Sequence, residues 1–264
     1  MTLLSSAVLT DTEWQMHYGE RFALEGLLAT LKPGLSIEIG RAEGGSLRRI
    51  AAHSEHVHSF DLVPEPDALR GDLANVTFHT GDSTVQVPET LAALAASGAH
   101  VDFALVDGDH SAEGVARDAR ALLDSDACRT TTIVFHDAAN DDVRVGLESL
   151  ELDKHPKAGL VMLDFVPGFL VETGPYAMHI WNGLGVMVLD AGRSQPPITE
   201  AYRYDAAAVQ RTARDSMRAE AEPALPEPVP AATGNGDSLR AAAVAGAAVS
   251  GLLAGWLGGR VARR

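Results

Sequence analysis

Seven short apolar runs, spaced by stretches of helix length, restrict this chain more than any other feature of its sequence. They are Leu35–Ile39, Val57–Leu62, Val76–Thr80, Val101–Val106, Thr131–Phe135, Leu160–Phe165 and Val186–Leu189. The fourth and fifth are almost unbroken in apolar residues, as expected of strands covered on both faces. Helix-length segments, Leu47–His53, Val87–Ser97 and Glu113–Leu123, separate the early runs. Such alternation predicts a parallel sheet with right-handed crossovers. A stretch rich in Gly and aromatic residues lies between the last two runs, which admit an antiparallel pairing instead. Upstream, Trp14–Leu31 has helical spacing and stops at Pro33-Gly34, so a helix is predicted there.

That pattern ends near residue 205, and charge divides at about the same place. The whole chain of 264 residues has 21 Lys and Arg against 36 Asp and Glu, a formal charge of −15. The first 200 residues hold 13 basic and 30 acidic side chains, net −17; the last 64 hold 8 and 6, net +2. An acidic body repels a phosphate backbone, so a general nucleic-acid partner is excluded. With Cys128 as the one cysteine, an internal disulfide and a cysteine-built zinc cage are excluded too. No basic start followed by an apolar core opens the chain, so cytoplasmic synthesis and function is the expectation.

The expected organisation is a body over 1–205, a helix-permissive and Pro-rich linker over 206–240, an apolar helix over 241–259, and a basic tail over 260–264. Pro223–Asp237 holds four prolines and two glycines and reads as flexible. Ala241–Gly259 has no charge in 19 residues and as a helix would reach roughly 28 Å, near the hydrocarbon thickness. Gly251, Gly255 and Gly259, with Ala243 and Ala247, form a small-residue stripe suited to close helix contact. A membrane anchor is the expectation there; a soluble oligomerisation helix or a weakly ordered tail are the alternatives. Arg260, Arg263 and Arg264 follow on the far side of such a span, and the positive-inside tendency conflicts with a cytoplasmic body on the other.

Chemistry concentrates at the ends of the predicted strands. The first runs into Glu38-Ile-Gly40-Arg-Ala-Glu43-Gly44-Gly45-Ser46, a Gly-rich strand-to-helix turn. Glycines there let a ligand meet the backbone with no Cβ between; a plain turn is the alternative. The dinucleotide spacing G-x-G-x-x-G is missing. Glu38 and Glu43 suit an ammonium or sulfonium centre better than a pyrophosphate, which points to S-adenosylmethionine rather than NAD. The second run ends in Asp61, about 20 residues beyond the turn, where a carboxylate can accept ribose hydroxyls. The third is followed by Asp82-Ser83, which could meet an adenine amino group.

The fourth run ends Val106-Asp107-Gly-Asp109-His110-Ser111, and the fifth ends Phe135-His136-Asp137. In a parallel sheet these ends can be neighbours. Asp107, His136 and Asp137 could then ligate a divalent cation. Helix-capping aspartates and a hydrogen-bonding histidine are the plainer alternative. His53, His56 and His58 read as surface residues. Tyr176, His179 and Trp181 could line a mouth or simply pack.

Taken in order, Glu38-Ile-Gly-Arg-Ala-Glu-Gly-Gly-Ser46, Phe60-Asp61, Val106-Asp107-Gly-Asp-His-Ser111 and Phe135-His136-Asp137 resemble a class I S-adenosylmethionine-dependent methyltransferase. The likeness is to small-molecule or sugar O-methyltransferases related to cephalosporin-hydroxylase-like and catechol O-methyltransferase-like proteins, over roughly residues 20–190. The resemblance implies an α/β, Rossmann-like, doubly wound sheet of seven strands with the last antiparallel. It implies that Glu38, Gly40, Gly44 and Ser46 surround the methionine part of the cofactor, with Asp107 beside the cofactor as well. It further implies that Asp61 holds the ribose, that Asp82 and Ser83 lie near adenine, and that Asp107, His136 and Asp137 hold a divalent cation, Mg²⁺ being expected. Catechol-type relatives have Asp-Asn where His136-Asp137 stand, and a lysine base where His110 stands. His110 is therefore the candidate general base, since an imidazole titrates near neutrality; beginning the next helix is its alternative role. Ala112 departs from a Tyr found in many relatives.

The expected function is methyl transfer to a hydroxyl oxygen of a small molecule or sugar, assisted by the cation. The rival is a non-catalytic scaffold of the same fold, tethered to a membrane by 241–259; other metal-dependent chemistry on this fold is a third reading. A homo-oligomer is compatible with either.

Overall fold

A computed structural model describes residues 6–174, 176–199 and 206–221. The chain divides into two units, Met1–Glu222 and Pro223–Arg264, and all described residues fall in the first. The predicted apolar helix over 241–259 lies outside the described residues. Among those described, no helix is long and apolar enough to cross a membrane.

The strands are β1 (Leu35–Ile39), β2 (His56–Asp61), β3 (Val76–Thr80), β4 (Phe103–Val106), β5 (Thr132–Phe135), β6 (Ala158–Val166), β7 (Phe169–Leu170), β8 (Ile180–Trp181), β9 (Leu184–Leu189) and β10 (Ile198–Thr199). The helices are α1 (Ala7–Thr10), α2 (Tyr18–Leu31), α3 (Gly45–His53), α4 (Asp67–Asp72), α5 (Ser83–Ser97), α6 (Ala112–Asp124), α7 (Asp141–Glu148) and α8 (Ala206–Ala221). The main sheet runs β10-β6-β9-β5-β4-β1-β2-β3, and β7 pairs with β8 apart from it. β9 is antiparallel to both neighbours, β5 and β6, and the other ladders of that sheet are parallel. All seven expected runs are therefore strands, the seventh antiparallel as expected. Among the described residues the sheet nevertheless has eight strands, not seven. Ile198–Thr199 adds an exposed edge, and two residues are too short to show any period in sequence.

Strand alternation sends side chains to two cores. Ile37, Ile39, Ala104, Val106, Ile133 and Phe135 face the core shared with α5, α6 and α7. Phe103, Leu105 and Val134 face Leu24 and Leu28 of α2 and Leu47 and Ile50 of α3. Every residue of β4 and β5 is buried, as expected of strands almost unbroken in apolar residues.

Helix starts follow local chemistry. α2 opens at Tyr18, because His17 caps it while the Glu20 carboxylate returns to the His17 amide, a reciprocal capping box. Lys32, in a left-handed conformation, closes it before Pro33. The segment 206–221, read from sequence as a helix-permissive part of a linker, forms a helix seated on the body. Ala206 and Ala207 are buried, Arg214 pairs with Asp141, Gln210 reaches the Gly168 carbonyl, and Arg218 donates to Met178 O at 2.9 Å. The histidines read as surface residues are only partly so: His58 Nδ1 lies 2.9 Å from His79 Nε2, and burial pushes the His58 imidazole down to about 4.

α6 and α7 meet where Gly146 lies against α6. A Cβ at Gly146 would stand 2.4 Å from Ala112 O and 2.5 Å from Val115. Gly146→Ala is therefore expected to destabilise the fold by about 1–3 kcal/mol, read as a lowered urea midpoint with an unchanged slope.

Candidate active site

Register builds the site. Ile39, Val106 and Phe135 lie side by side as the last residues of β1, β4 and β5. The residues that follow, Gly40, Asp107 and His136, must therefore emerge together along one edge. This is the carboxyl edge, where open α/β sheets bind ligands. Backbone bonds continue the ladder past the strands: Asp107 N donates to Ile39 O at 2.7 Å and His136 N to Val106 O at 3.0 Å.

Gly40 has φ of 89°, and a Cβ there would lie 2.0 Å from Asp107 O. Glycine is required by conformation and by space. Gly44, with φ of 80°, is the N-cap residue of α3; a Cβ would strike Leu69 at 2.4 Å, and one at Gly45 would strike Trp14 at 2.3 Å. The space beside these two glycines is thus filled by the chain itself. Glu38 lies beneath the turn, fully buried, accepting from Ser46 Oγ at 2.7 Å and Ser59 Oγ at 2.9 Å. Burial pushes its carboxyl up to about 8; the two serine hydroxyls oppose that shift, and the nearby Asp107 carboxylate adds to it.

Asp61 holds the turn from the side. Its Oδ2 accepts from the amides of Arg41 and Ala42, each at 2.9 Å, and Oδ1 from Val63 N at 2.8 Å. A carboxylate offers about four acceptor sites, so three are taken by the protein. Asp82 caps α5 through Thr84 N at 2.8 Å, a bond that also keeps its carboxyl below the usual range. Ser83 donates to Asp118 at 2.9 Å.

On the other side of Gly40 four groups converge. Asp107, His110, His136 and Asp137 each bring one donor atom, all within 4.8 Å of one another. His136 Nδ1 is 2.8 Å from Asp107 Oδ1 and 3.3 Å from Asp137 Oδ2. His110 Nε2 is 2.9 Å from Asp137 Oδ2 and 3.5 Å from Asp107 Oδ1. Burial alone would raise both carboxyls, but the imidazoles, His136 foremost, hold them below the usual range. The carboxylates in turn push His110 up to about 9 and hold His136 well above its ordinary value against the cost of its burial.

The sequence-predicted metal trio is therefore brought together, and His110 joins it. Adjacent donors around an octahedral ion with bonds of about 2.1 Å stand about 3 Å apart, and the separations above bracket that spacing. His110 Nε2 is buried with no aligned hydrogen bond despite its close carboxylates. Donor chemistry and spacing both fit a divalent cation.

Sequence reading missed the turn behind this cluster. Asp137, itself at φ of 52°, accepts from Asn182 N at 2.6 Å; Glu20 accepts from Gly183 N at 2.6 Å. Asn-Gly between two apolar runs is a hairpin signal that could have marked the turn, though not its targets. Trp181 meets His110 edge-on at 5.8 Å, and Tyr176 meets Trp181 at 5.6 Å. His179 is exposed beside Tyr176.

Residues 37–138, from β1 to just past Asp137, match the family model of a methyltransferase domain. That match agrees with the class I, S-adenosylmethionine-dependent resemblance carried by the four motifs. No curated protein matches the chain. Similar solved structures include the cofactor-bound Rv0187 from MTB, at 17% identity over 69% of this chain and 86% of that one, with a TM-score of 0.48. Another is the O-methyltransferase from Bacillus cereus in complex with SAH, at 17% identity, 68% and 84% coverage, and a TM-score of 0.46.

Two outcomes test this geometry. Gly40→Ala should cost roughly 1–3 kcal/mol of stability through its left-handed backbone, seen by thermal unfolding, and more through the clash with Asp107. Glu38→Gln tests the buried carboxyl. Because the folded carboxyl titrates near 8 and an unfolded one near 4.3, the wild type should lose stability as pH rises between those values. The variant lacks that loss, so its melting temperature relative to wild type should climb from pH 5 to 8.

Proposed function

We propose that this protein transfers a methyl group from S-adenosylmethionine to a hydroxyl oxygen of a small molecule or sugar, with a divalent cation at the acceptor side. The observation that carries this reading is the contact of Gly40 with Asp107. It joins the glycine turn expected to take the cofactor to the donor cluster expected to take the acceptor, so donor and acceptor share one edge of one sheet.

Asp107, His136 and Asp137 would hold the cation; an imidazole beside two carboxylates suits Mn²⁺ or Fe²⁺ as well as Mg²⁺. When bound, S-adenosylmethionine supplies an electrophilic methyl group, and the cation supplies positive charge that acidifies a nearby hydroxyl. The protein's own work is alignment and proton removal. The turn at Gly40–Ser46, Asp61, and the start of α5 at Asp82 and Ser83 would take the cofactor, with one acceptor site of Asp61 left for a ribose hydroxyl. Fixing acceptor oxygen, methyl carbon and sulfur in line removes most of the entropic barrier.

His110 is the base in this reading. Its side chain is 39% exposed, the most open of the four, and stands beside Trp181 where an acceptor would enter. With Asp107 and Asp137 both uncompensated it keeps its proton at neutral pH. Compensating those charges returns the imidazole toward its ordinary value of about 6.5, where it accepts a proton.

His110→Ala should lower turnover by about 10²–10⁴-fold while calorimetry shows S-adenosylmethionine binding within about twofold of wild type; equal loss of both would sink the assignment. Acceptors are found by mass spectrometry of hydroxylated compounds with labelled cofactor. Activity should fall on chelation and return with Mn²⁺ or Mg²⁺. Absence of any heat with S-adenosylmethionine would favour the scaffold.

A further inference from the structure

Behind His136, on the side away from the cluster, stands a carboxylate that the mechanism above does not use. Glu20 of α2 is fully buried. Its Oε2 accepts from His17 N at 2.7 Å and Asn182 Nδ2 at 2.8 Å. Its Oε1 accepts from Gly183 N at 2.6 Å and lies 3.4 Å from His136 Nε2. That ring nitrogen is buried without an aligned hydrogen bond. A capping residue needs none of these long-range partners, and a local capping role accounts only for the bond to His17.

We propose that Glu20 is a positioning residue, which keeps the His136 proton on Nε2 and so leaves the Nδ1 lone pair to a divalent cation shared with Asp107 and Asp137. This rests on the cation reading of the site given above. A neutral imidazole has one N–H and one lone pair. A lone pair on Nε2 would face the Glu20 carboxylate at repulsive distance, whereas an N–H there is attracted to it. The opposite nitrogen, Nδ1, is the one lying 2.8 Å and 3.3 Å from the two aspartates. Carboxylates behind ligating histidines fix ring orientation and raise ligand basicity in this way.

The same turn secures a second member of the cluster. Asn182 N donates to Asp137 Oδ1, which leaves Oδ2 toward the histidines. The Asn182-Gly183 turn therefore locks Asp137 directly and His136 through Glu20. Gly183 has φ of 90°, and a Cβ there would meet Gly168 N at 2.9 Å, so the turn has little freedom to shift.

The test uses the full-length, ion-free protein as wild type, Glu20→Gln, Glu20→Ala and His136→Ala, each checked for folding by circular dichroism. Zn²⁺ is titrated by calorimetry, and the imidazole nitrogens of the Zn²⁺-loaded protein are read by ¹⁵N magnetic resonance. Glu20→Gln should bind Zn²⁺ about 10-fold more weakly, and the loaded wild type should carry the His136 proton on Nε2. Equal affinity in wild type and a folded Glu20 variant, or a proton on Nδ1, overturns the proposal. If the Ala variant does not fold, the Gln variant and the proton position decide. Wild type and His136→Ala binding alike, or neither binding, would instead overturn the cation reading and this proposal with it. A loss at His136→Ala with none at Glu20→Gln sinks the role of Glu20 alone.

Discussion

Two aspartates at the ends of adjacent strands, Asp137 buried and Asp107 half-buried, set the terms for the rest of this structure. Asp107 and Asp137 follow β4 and β5, whose residues are all buried, and an uncompensated carboxylate there would carry a heavy desolvation cost. The fold answers with two imidazoles between them and a backbone amide from the Asn182-Gly183 turn. That turn reaches the site only because β9 comes back antiparallel between β5 and β6. The antiparallel strand is thus tied to the chemistry as well as to the sheet.

The glycine turn obeys a second constraint, the close approach of two backbone edges. Gly40 must let Asp107 O pass where a Cβ would be, and the polar interior beneath it must still be satisfied. Glu38, Ser46 and Ser59 form that interior, while Asp61 and Arg41 tie the turn to the end of β2, Arg41 through Ser59 O and Val63 O. A carboxyl pushed up to about 8 accepts hydrogen bonds from two serines without presenting a full charge next to Asp107. Glu38 therefore supports the turn from below and does not stand at its surface.

Much of this was legible before any coordinates. Alternation of apolar runs with three helix-length segments, and two runs almost unbroken in apolar residues, pointed to a doubly wound sheet. The motif ends at Gly40, Asp61, Asp107 and Asp137 marked its carboxyl edge. The entry of His110 into the donor cluster was not legible, because a residue four places beyond a strand can point anywhere that its loop allows. β10 and the docking of α8 escaped for a related reason: two residues have no period, and a charged helix reveals no partner until Asp141 and the Gly168 carbonyl are placed beside it.

The sequence by itself determined the order of elements and the identity of the groups at each strand end, since periodicity and turn chemistry act over neighbouring residues. Only the tertiary structure decided what those groups meet. Glu20 is the third residue of α2 and closes its capping box. Its other oxygen faces His136 and Gly183 because β9 is threaded beside β5, a long-range pairing that burial of apolar surface drives and that no local pattern encodes.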